Sequence, residues 1–156
     1  MKAAWYENIG AAGEVLQVGE TTDPTPNAGE VLIEIKASGV NPSDVKTRAG
    51  ARGELQFPQI IPHSDGGGVI TAVGEGIDEN RIGERVWIWN GAFGRADGTC
   101  AELIALPELQ AVKIDDEVSY DSAACMGIPA STAVSYTHLR AHETREDRVC
   151  RLLLEK

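Results

Sequence analysis

Two short stretches carry the polar side chains best placed for chemistry. The first, GVNPSD, holds Asn41 and Asp44, and the second, PHSDGGGV, holds His63 and Ser64. Each puts small polar groups on a predicted loop beside the end of a strand, where binding and catalytic residues are often found. These groups can hydrogen-bond a ligand, but on their own they do not specify a reaction.

A run of three glycines, Gly66–Gly68, follows the second stretch. Because glycine has no side chain, such a run lets another backbone segment or a ligand come close. The spacing alone favours a structural turn here, with a strand beginning afterwards at Val69 and ending at Val73.

Short strands separated by Gly, Asp and Asn turns must position these groups. Residues 2–9 and 14–19 alternate roughly between apolar and polar and predict a hairpin. The clearest strand is EVLIEIKASGV, in which Val31, Ile33 and Ile35 face one side. Further strands are predicted in ERVWIW, GTCAELIAL and LQAVKI. This spacing favours a mainly β barrel or sandwich over a parallel sheet with intervening helices.

Two short helices are predicted beside the strands. Pro42 suits the first turn of one helix, with Ser43 and Asp44 at its N-terminal end. Ser119 or Asp121 is a suitable cap for the second helix. The predicted apolar face of that second helix comprises Ala123, Ala124 and Met126.

The composition is that of an ordinary one-domain protein with a formal net charge of −10 over 156 residues. An acidic chain repels nucleic acids and anionic membranes, so neither is a predicted partner. There is no apolar run of the ~18 residues needed to cross a bilayer and no signal peptide behind Met1. Three widely spaced cysteines, Cys100, Cys125 and Cys150, indicate reduced thiols and a cytoplasmic location.

Five ordered motifs then resemble a known family. EVLIEIKASGVNPSD, IPHSDGGGVITAVGEG, IGERVW, GTCAELIALP and AACMGIPASTA together resemble the N-terminal domain of medium-chain dehydrogenase/reductases, in the zinc-free quinone oxidoreductase branch related to zeta-crystallin. The resemblance covers residues 1 to about 133. It implies a mainly β, chaperonin-lid-like barrel with short helices, followed in the family by a Rossmann domain that binds NADPH.

The resemblance also implies an activity, which is hydride transfer from NADPH to a quinone by a homodimer. The G-x-G-x-x-G fingerprint that would hold the cofactor phosphates does not occur in this sequence. We therefore expect a fragment, with the Rossmann domain absent, that is inactive by itself.

The resemblance assigns four residues to NADPH. It places Asn41 and Asp44 beside the nicotinamide as catalytic and cofactor-binding residues, and Thr132 near the nicotinamide ribose. Lys46 stands where many relatives have a tyrosine, and it could meet a phosphate or a ring oxygen, or face solvent. Purely structural roles are the alternatives: a turn for Asn41, a helix-end charge for Asp44 and a helix hydroxyl for Thr132.

Ser64 and Phe93 are the implied contacts of the quinone, with the Phe93 ring available for stacking or for anchoring its loop. Zinc-dependent relatives carry a cysteine where this chain has Asn41, and a histidine–glutamate pair where it has Ser64 and Asp65. Because zinc prefers thiolate, imidazole and carboxylate ligands, we expect no metal, and His63 is interpreted as a loop or cleft-wall residue.

Other functions fit the same motifs. An enone or another activated alkene could replace the quinone, and a zinc-type alcohol dehydrogenase relative is a further possibility. A free-standing chaperonin-lid-like binding or assembly module is the alternative from a different class. Such a module has no reason to combine GVNPSD, PHSD and GIPAST.

Residues 134–156 differ from the rest of the chain. VSYTHLRAHET resembles the translation of a transposase-type sequencing-library adapter, which predicts a non-native tail. The alternative is a genuine C-terminal helix with a partial apolar face formed by Leu139, Val149, Leu152 and Leu153.

Overall fold

Two antiparallel sheets contain the strands. In the computed structural model, which describes residues 1–139, β1 (Lys2–Trp5) pairs with β2 (Gln17–Glu20). A five-stranded sheet has the order β6-β3-β4-β5-β7. Its strands are β3 (Glu30–Gly39), β4 (Asp65–Val73), β5 (Arg85–Ile88), β6 (Leu103–Pro107) and β7 (Ala111–Lys113). The mainly β fold is confirmed, although the described strands do not close into one continuous barrel.

The helices are short, as expected. They are α1 (Ala12–Val15), α2 (Pro42–Arg48), α3 (Tyr120–Ala123) and α4 (Ile128–Val134), with single 3-10 turns at Glu79–Arg81 and Glu108–Gln110. The predicted N-terminal hairpin is present as β1 and β2. Its second strand begins only at Gln17, because residues 14 and 15 belong to α1 in the connection. None of the helices in residues 1–139 has the length and apolar character required to cross a bilayer.

Helix α3 begins and packs largely as predicted. The Ser119 hydroxyl accepts a hydrogen bond from the backbone N–H of Ser122 at 3.1 Å and caps the helix. Ala123 and Ala124 are buried, and α3 packs on β3, β4 and β5. The placement of Met126 on this face was wrong: its side chain is 47% exposed, because α3 has already ended at Ala123 and a separate helix follows.

The core lies inside the five-stranded sheet. Val31 and Ile33 of β3 are fully buried, which confirms the predicted inward face of that strand. They pack with residues from the four other strands of the sheet, whose inward side chains form one cluster. The remaining members are Ile70, Val86, Ile88, Ile104, Leu106 and Ala111.

The glycine run lies inside a strand, so the predicted turn at this point was wrong. Strand β4 begins at Asp65, and Gly66–Gly68 pair with both β3 and β5. A Cβ atom on Gly68 would lie 2.2 Å from the carbonyl oxygen of Glu34, and one on Gly67 would lie 2.8 Å from the Cβ of Ala123. The alternative explanation for the glycine run, the close approach of another backbone segment, is the correct one.

The end of the described chain is helical. Residues Ser135–Leu139 continue α4 as a π-helical turn, so the boundary proposed at residue 133 falls within the last turn of α4. Most of the predicted non-native tail, including Cys150 and the apolar positions after Leu139, lies outside the described residues. The tail therefore stays a prediction.

Candidate functional site

A cleft of about 610 Å³ lies beside α2, a volume typical of small-molecule sites. Three segments form most of it: α2 with the loop that follows, the approach to β4, and the loop after β5. Apolar and aromatic walls combine with polar groups. The apolar members include Tyr6, Leu55, Phe57, Ile60, Phe93 and Ile128, and the polar or charged ones include Ser43, Asp44, Thr47, Arg52, His63, Ser64 and Arg95.

Asp44 reaches this cleft because of the way α2 begins. Pro42 occupies the first helical turn, and a carboxylate oxygen of Asp44 accepts a hydrogen bond from the backbone N–H of Asn41 at 2.7 Å. Burial raises the pKa of Asp44, while this hydrogen bond and the nearby His63 and Arg52 act in the opposite direction. Asp44 thus both caps the helix and lines the cleft.

Asn41 lies behind the cleft wall. Its side chain is 4% exposed, and its Nδ2 donates to a carboxylate oxygen of Asp65 at 2.7 Å. Asp65 is fully buried and also accepts the backbone N–H of Ile128, at 3.0 Å from Oδ1. A Cβ on Gly127 would lie 2.1 Å from that oxygen, so glycine is required there. Asp65 therefore ties the starts of α2, β4 and α4 together.

His63 is held by a chain of side-chain hydrogen bonds. Its Nδ1 lies 2.9 Å from Ser38 Oγ, which lies 2.9 Å from Thr99 Oγ1. The Thr99 hydroxyl in turn donates to the backbone carbonyl of Asp65 at 2.6 Å. His63 has a φ of 78°, an uncommon conformation for a residue with a side chain, of a kind often found at functional sites.

Burial lowers the pKa of His63, and the charge of Asp44 only partly offsets this. We expect an NMR titration of the imidazole to give a midpoint below its usual 6.5. Asp44→Asn should lower the midpoint further, because it removes the opposing charge. The contribution of His63 to stability should be complete above pH 6.5 and be lost as the pH falls through the folded-state pKa. A midpoint at or above the usual value would contradict the role of burial.

Apart from Asn41, which is buried and does not line the cleft, the predicted site residues divide into two groups. Asp44, Ser64 and Phe93 line the cleft, with the Phe93 ring 78% exposed at its edge. Lys46 on α2 and Thr132 on α4 are exposed and do not line it. Their assigned contacts with NADPH stay predictions.

Several lining residues were missed by sequence reasoning. Tyr6, Arg52, Phe57 and Arg95 come from segments that are distant in sequence. The only local signal was an arginine close to an aromatic residue in two glycine-rich loops, ARGELQF and AFGRADG. The sequence distinguishes Asp65 only as part of the Ser64–Asp65 pair, which stands where zinc-dependent relatives have histidine and glutamate.

Metal-binding side chains do not converge in this part of the protein. Residues 1–139 contain no group of three or more His, Cys, Asp or Glu residues that could hold a metal ion. Asn41 and Ser64 stand where zinc-dependent relatives have metal ligands. The side chain of Asn41 donates a hydrogen bond to Asp65, and Ser64 lines the cleft. The absence of zinc stays a prediction.

Comparison with known proteins gives consistent matches. The family model of the alcohol dehydrogenase GroES-like domain matches residues 27–116. A zinc-type alcohol dehydrogenase-like protein of Schizosaccharomyces pombe is 32% identical over 83% of this chain and 38% of its own length. Rat quinone oxidoreductase is 30% identical over 77% of this chain and 36% of its own.

A solved structure matches as well. A mycobacterial protein in complex with NADPH superposes with a TM-score of 0.71 and 27% identity, over 92% of this chain and 42% of that protein. The chain thus spans about two fifths of the length of the proteins it matches.

Proposed function

The chain belongs to the alcohol dehydrogenase GroES-like domain family of the medium-chain dehydrogenase/reductases, and from this we propose that it is the substrate-binding part of an NADPH-dependent quinone oxidoreductase. The observation that carries the proposal is the cleft, in which aromatic and aliphatic walls surround hydrogen-bonding groups from α2 and the start of β4. A flat, mostly apolar acceptor with polar oxygens suits such a lining. Rat quinone oxidoreductase and the mycobacterial NADPH complex lend support as relatives.

NADPH, when bound, supplies the hydride. The residues of this chain fit only one end of that cofactor. Asp44, Ser43 and Thr47 offer polar groups in the cleft for a nicotinamide carboxamide, whereas the sequence has no glycine-rich fingerprint for the phosphates. The further domain of a longer protein, which we propose to be a homodimer, would hold the remainder.

The chain's own contribution is to bind and orient the acceptor. Phe57 and Phe93 provide ring faces for stacking. The Thr99 hydroxyl donates to a backbone carbonyl, so Ser38 donates to Thr99 and the Nδ1–H of His63 donates to Ser38. Because its pKa is lowered, His63 is neutral at pH 7, and its Nε2 is then a hydrogen-bond acceptor. The bond between Nδ1 and Ser38 fixes both the tautomer and the ring orientation, so that Nε2 can accept a hydrogen bond from a hydroxyl group of the bound molecule.

A metal-dependent alcohol dehydrogenase is the second candidate, because one of the relatives is described as zinc-type. The donor set in residues 1–139 does not favour it, since those residues bring no three metal-binding side chains together. An enone acceptor would use the same cleft and the same hydride chemistry as a quinone.

We expect a longer protein that joins these residues to a nucleotide-binding domain to reduce quinones with NADPH, without stoichiometric zinc. The isolated chain of 156 residues should show negligible turnover, because it lacks a phosphate-binding loop. Quinone-dependent NADPH oxidation and elemental analysis are the measurements. One tightly bound zinc per chain, with alcohol oxidation in place of quinone reduction, would favour the second candidate.

A further inference from the structure

One cation in the cleft wall has no counterion among the described residues. Arg95 is partly buried, and residues 1–139 provide it with no salt bridge. Its Nη1 is buried and lacks a hydrogen-bond partner in that part of the chain. Burial lowers the pKa of the guanidinium, and Glu30 and Asp97 offset this only through space. A charge removed from water in this way is normally paired.

The guanidinium group is nevertheless firmly positioned. Its Nη2 donates to Oε1 of Gln110 at 2.7 Å. The Nε2 of Gln110 donates to the backbone carbonyls of Trp89 and Asn90, both at 3.0 Å. Gln110 therefore links Arg95 to residues 89 and 90, where the loop that contains Arg95 begins. The guanidinium is thus held in the cleft wall before any ligand binds.

The other charged groups of the cleft do not neutralise Arg95. Asp44 accepts the backbone N–H of Asn41, and Arg52 is close enough to lower its pKa. Glu54, the other acidic residue of the lining, is exposed and forms no salt bridge within residues 1–139. The charge of Arg95 is thus not neutralised by a direct ion pair within residues 1–139, and the exposed Phe93 lies two positions earlier in the same loop.

We propose that Arg95 binds an anionic substituent of the acceptor, specifically a carboxylate, while the ring of the acceptor packs beside Phe93. This inference rests on the proposed function, because it names the class of quinone or enone that the cleft selects. Arginine suits the role, since its guanidinium stays charged when partly desolvated and donates charge-assisted hydrogen bonds to carboxylate oxygens. Gln110 acts as a positioning residue.

The test compares two probes that share one ring system and do not react with thiols: anthraquinone-2-carboxylate and anthraquinone-2-carboxamide. Binding to the 156-residue chain is measured by isothermal titration calorimetry without NADPH. We expect the carboxylate to bind about tenfold more tightly than the carboxamide, the size of effect typical of a hydrogen bond to a charged group. This preference should shrink as the salt concentration rises from about 0.02 to 0.5 M.

Variants assign the preference to one residue. Arg95→Gln should bind both probes equally, and Arg95→Lys should keep part of the preference because it keeps the charge. Lys113→Gln, which changes a cation outside the cleft, should behave as wild type. Thermal melting verifies that each variant is folded, and the salt dependence of the unmodified chain provides evidence that needs no variant.

Two results would overturn the proposal in different ways. Equal affinity of the unmodified chain for both probes, or a preference abolished by Arg52→Gln and kept by Arg95→Gln, would show that Arg95 does not select a carboxylate, and would leave the quinone-binding cleft standing. Failure of the unmodified chain to bind either probe would count against the proposed function as well.

Discussion

Asp65→Ala should destabilise the protein by about 3 kcal/mol or more, because it leaves buried donors without an acceptor. The carboxylate is fully buried and accepts both the Asn41 side-chain amide at 2.7 Å and the Ile128 backbone N–H at 3.0 Å. Unfolding by urea, followed by tryptophan fluorescence, measures the loss. Asp65→Asn keeps the shape but presents an amide in place of one oxygen, so its effect should be intermediate.

Asp116→Ala is the matched control. The side chain of Asp116 is fully exposed, and its one ion pair within residues 1–139, with Arg85, is long at 3.8 Å. This variant should unfold at the same urea concentration as wild type. If Asp65→Ala did so too, the buried network would have no structural role, and the orientation of Asn41 would need another explanation.

Gly68→Ala should be at least as damaging, by about 3 kcal/mol or more, because a single methyl group has no space in the sheet. The new Cβ would lie 2.2 Å from the carbonyl oxygen of Glu34 and 2.8 Å from the Cγ2 of Ile33. Both atoms belong to β3, one of the two strands that pair with β4, and the first is a backbone atom that cannot rotate away. The expected outcome is a large fall in the melting temperature or failure to fold.

Gly13→Ala makes the same chemical change where there is room. No atom lies within 4 Å of the Cβ position, and the residue is inside α1. Alanine favours a helix over glycine by up to about 1 kcal/mol, so stability should be unchanged or slightly higher. Similar melting temperatures for the two alanine variants would show that β3 and β4 can separate enough to accept the methyl group.

The local elements of this protein were largely readable from its residues. Alternation in EVLIEIKASGV fixes which side of β3 is buried, and Val31 and Ile33 are fully enclosed as expected. Pro42 and Ser119 mark the starts of two helices, since proline at the first turn and a serine cap act within a few residues. The ordered motifs indicated the family, which the match over residues 27–116 confirms.

Other features depended on contacts between segments far apart in the chain. The glycine run has the composition of a turn, and only the approach of β3 and α3 shows that it is a strand without room for side chains. Asn41 has the position of a polar cleft residue, yet a carboxylate 24 residues later draws its side chain inward. No local pattern encodes such a pairing, because it depends on the three-dimensional path of both segments.

The same division applies to the site. By itself, the sequence determined most of the strands, the starts of α2 and α3, the buried face of β3 and the family, because periodicity, capping and motif order are properties of neighbouring residues. Only the tertiary structure decided that Arg95, Arg52 and Tyr6 share a cleft with Asp44, and that Lys46 and Thr132 lie outside its lining. Burial and the pairing of charges are set by whatever packs around a group, and in this fold those surroundings come from loops separated by tens of residues.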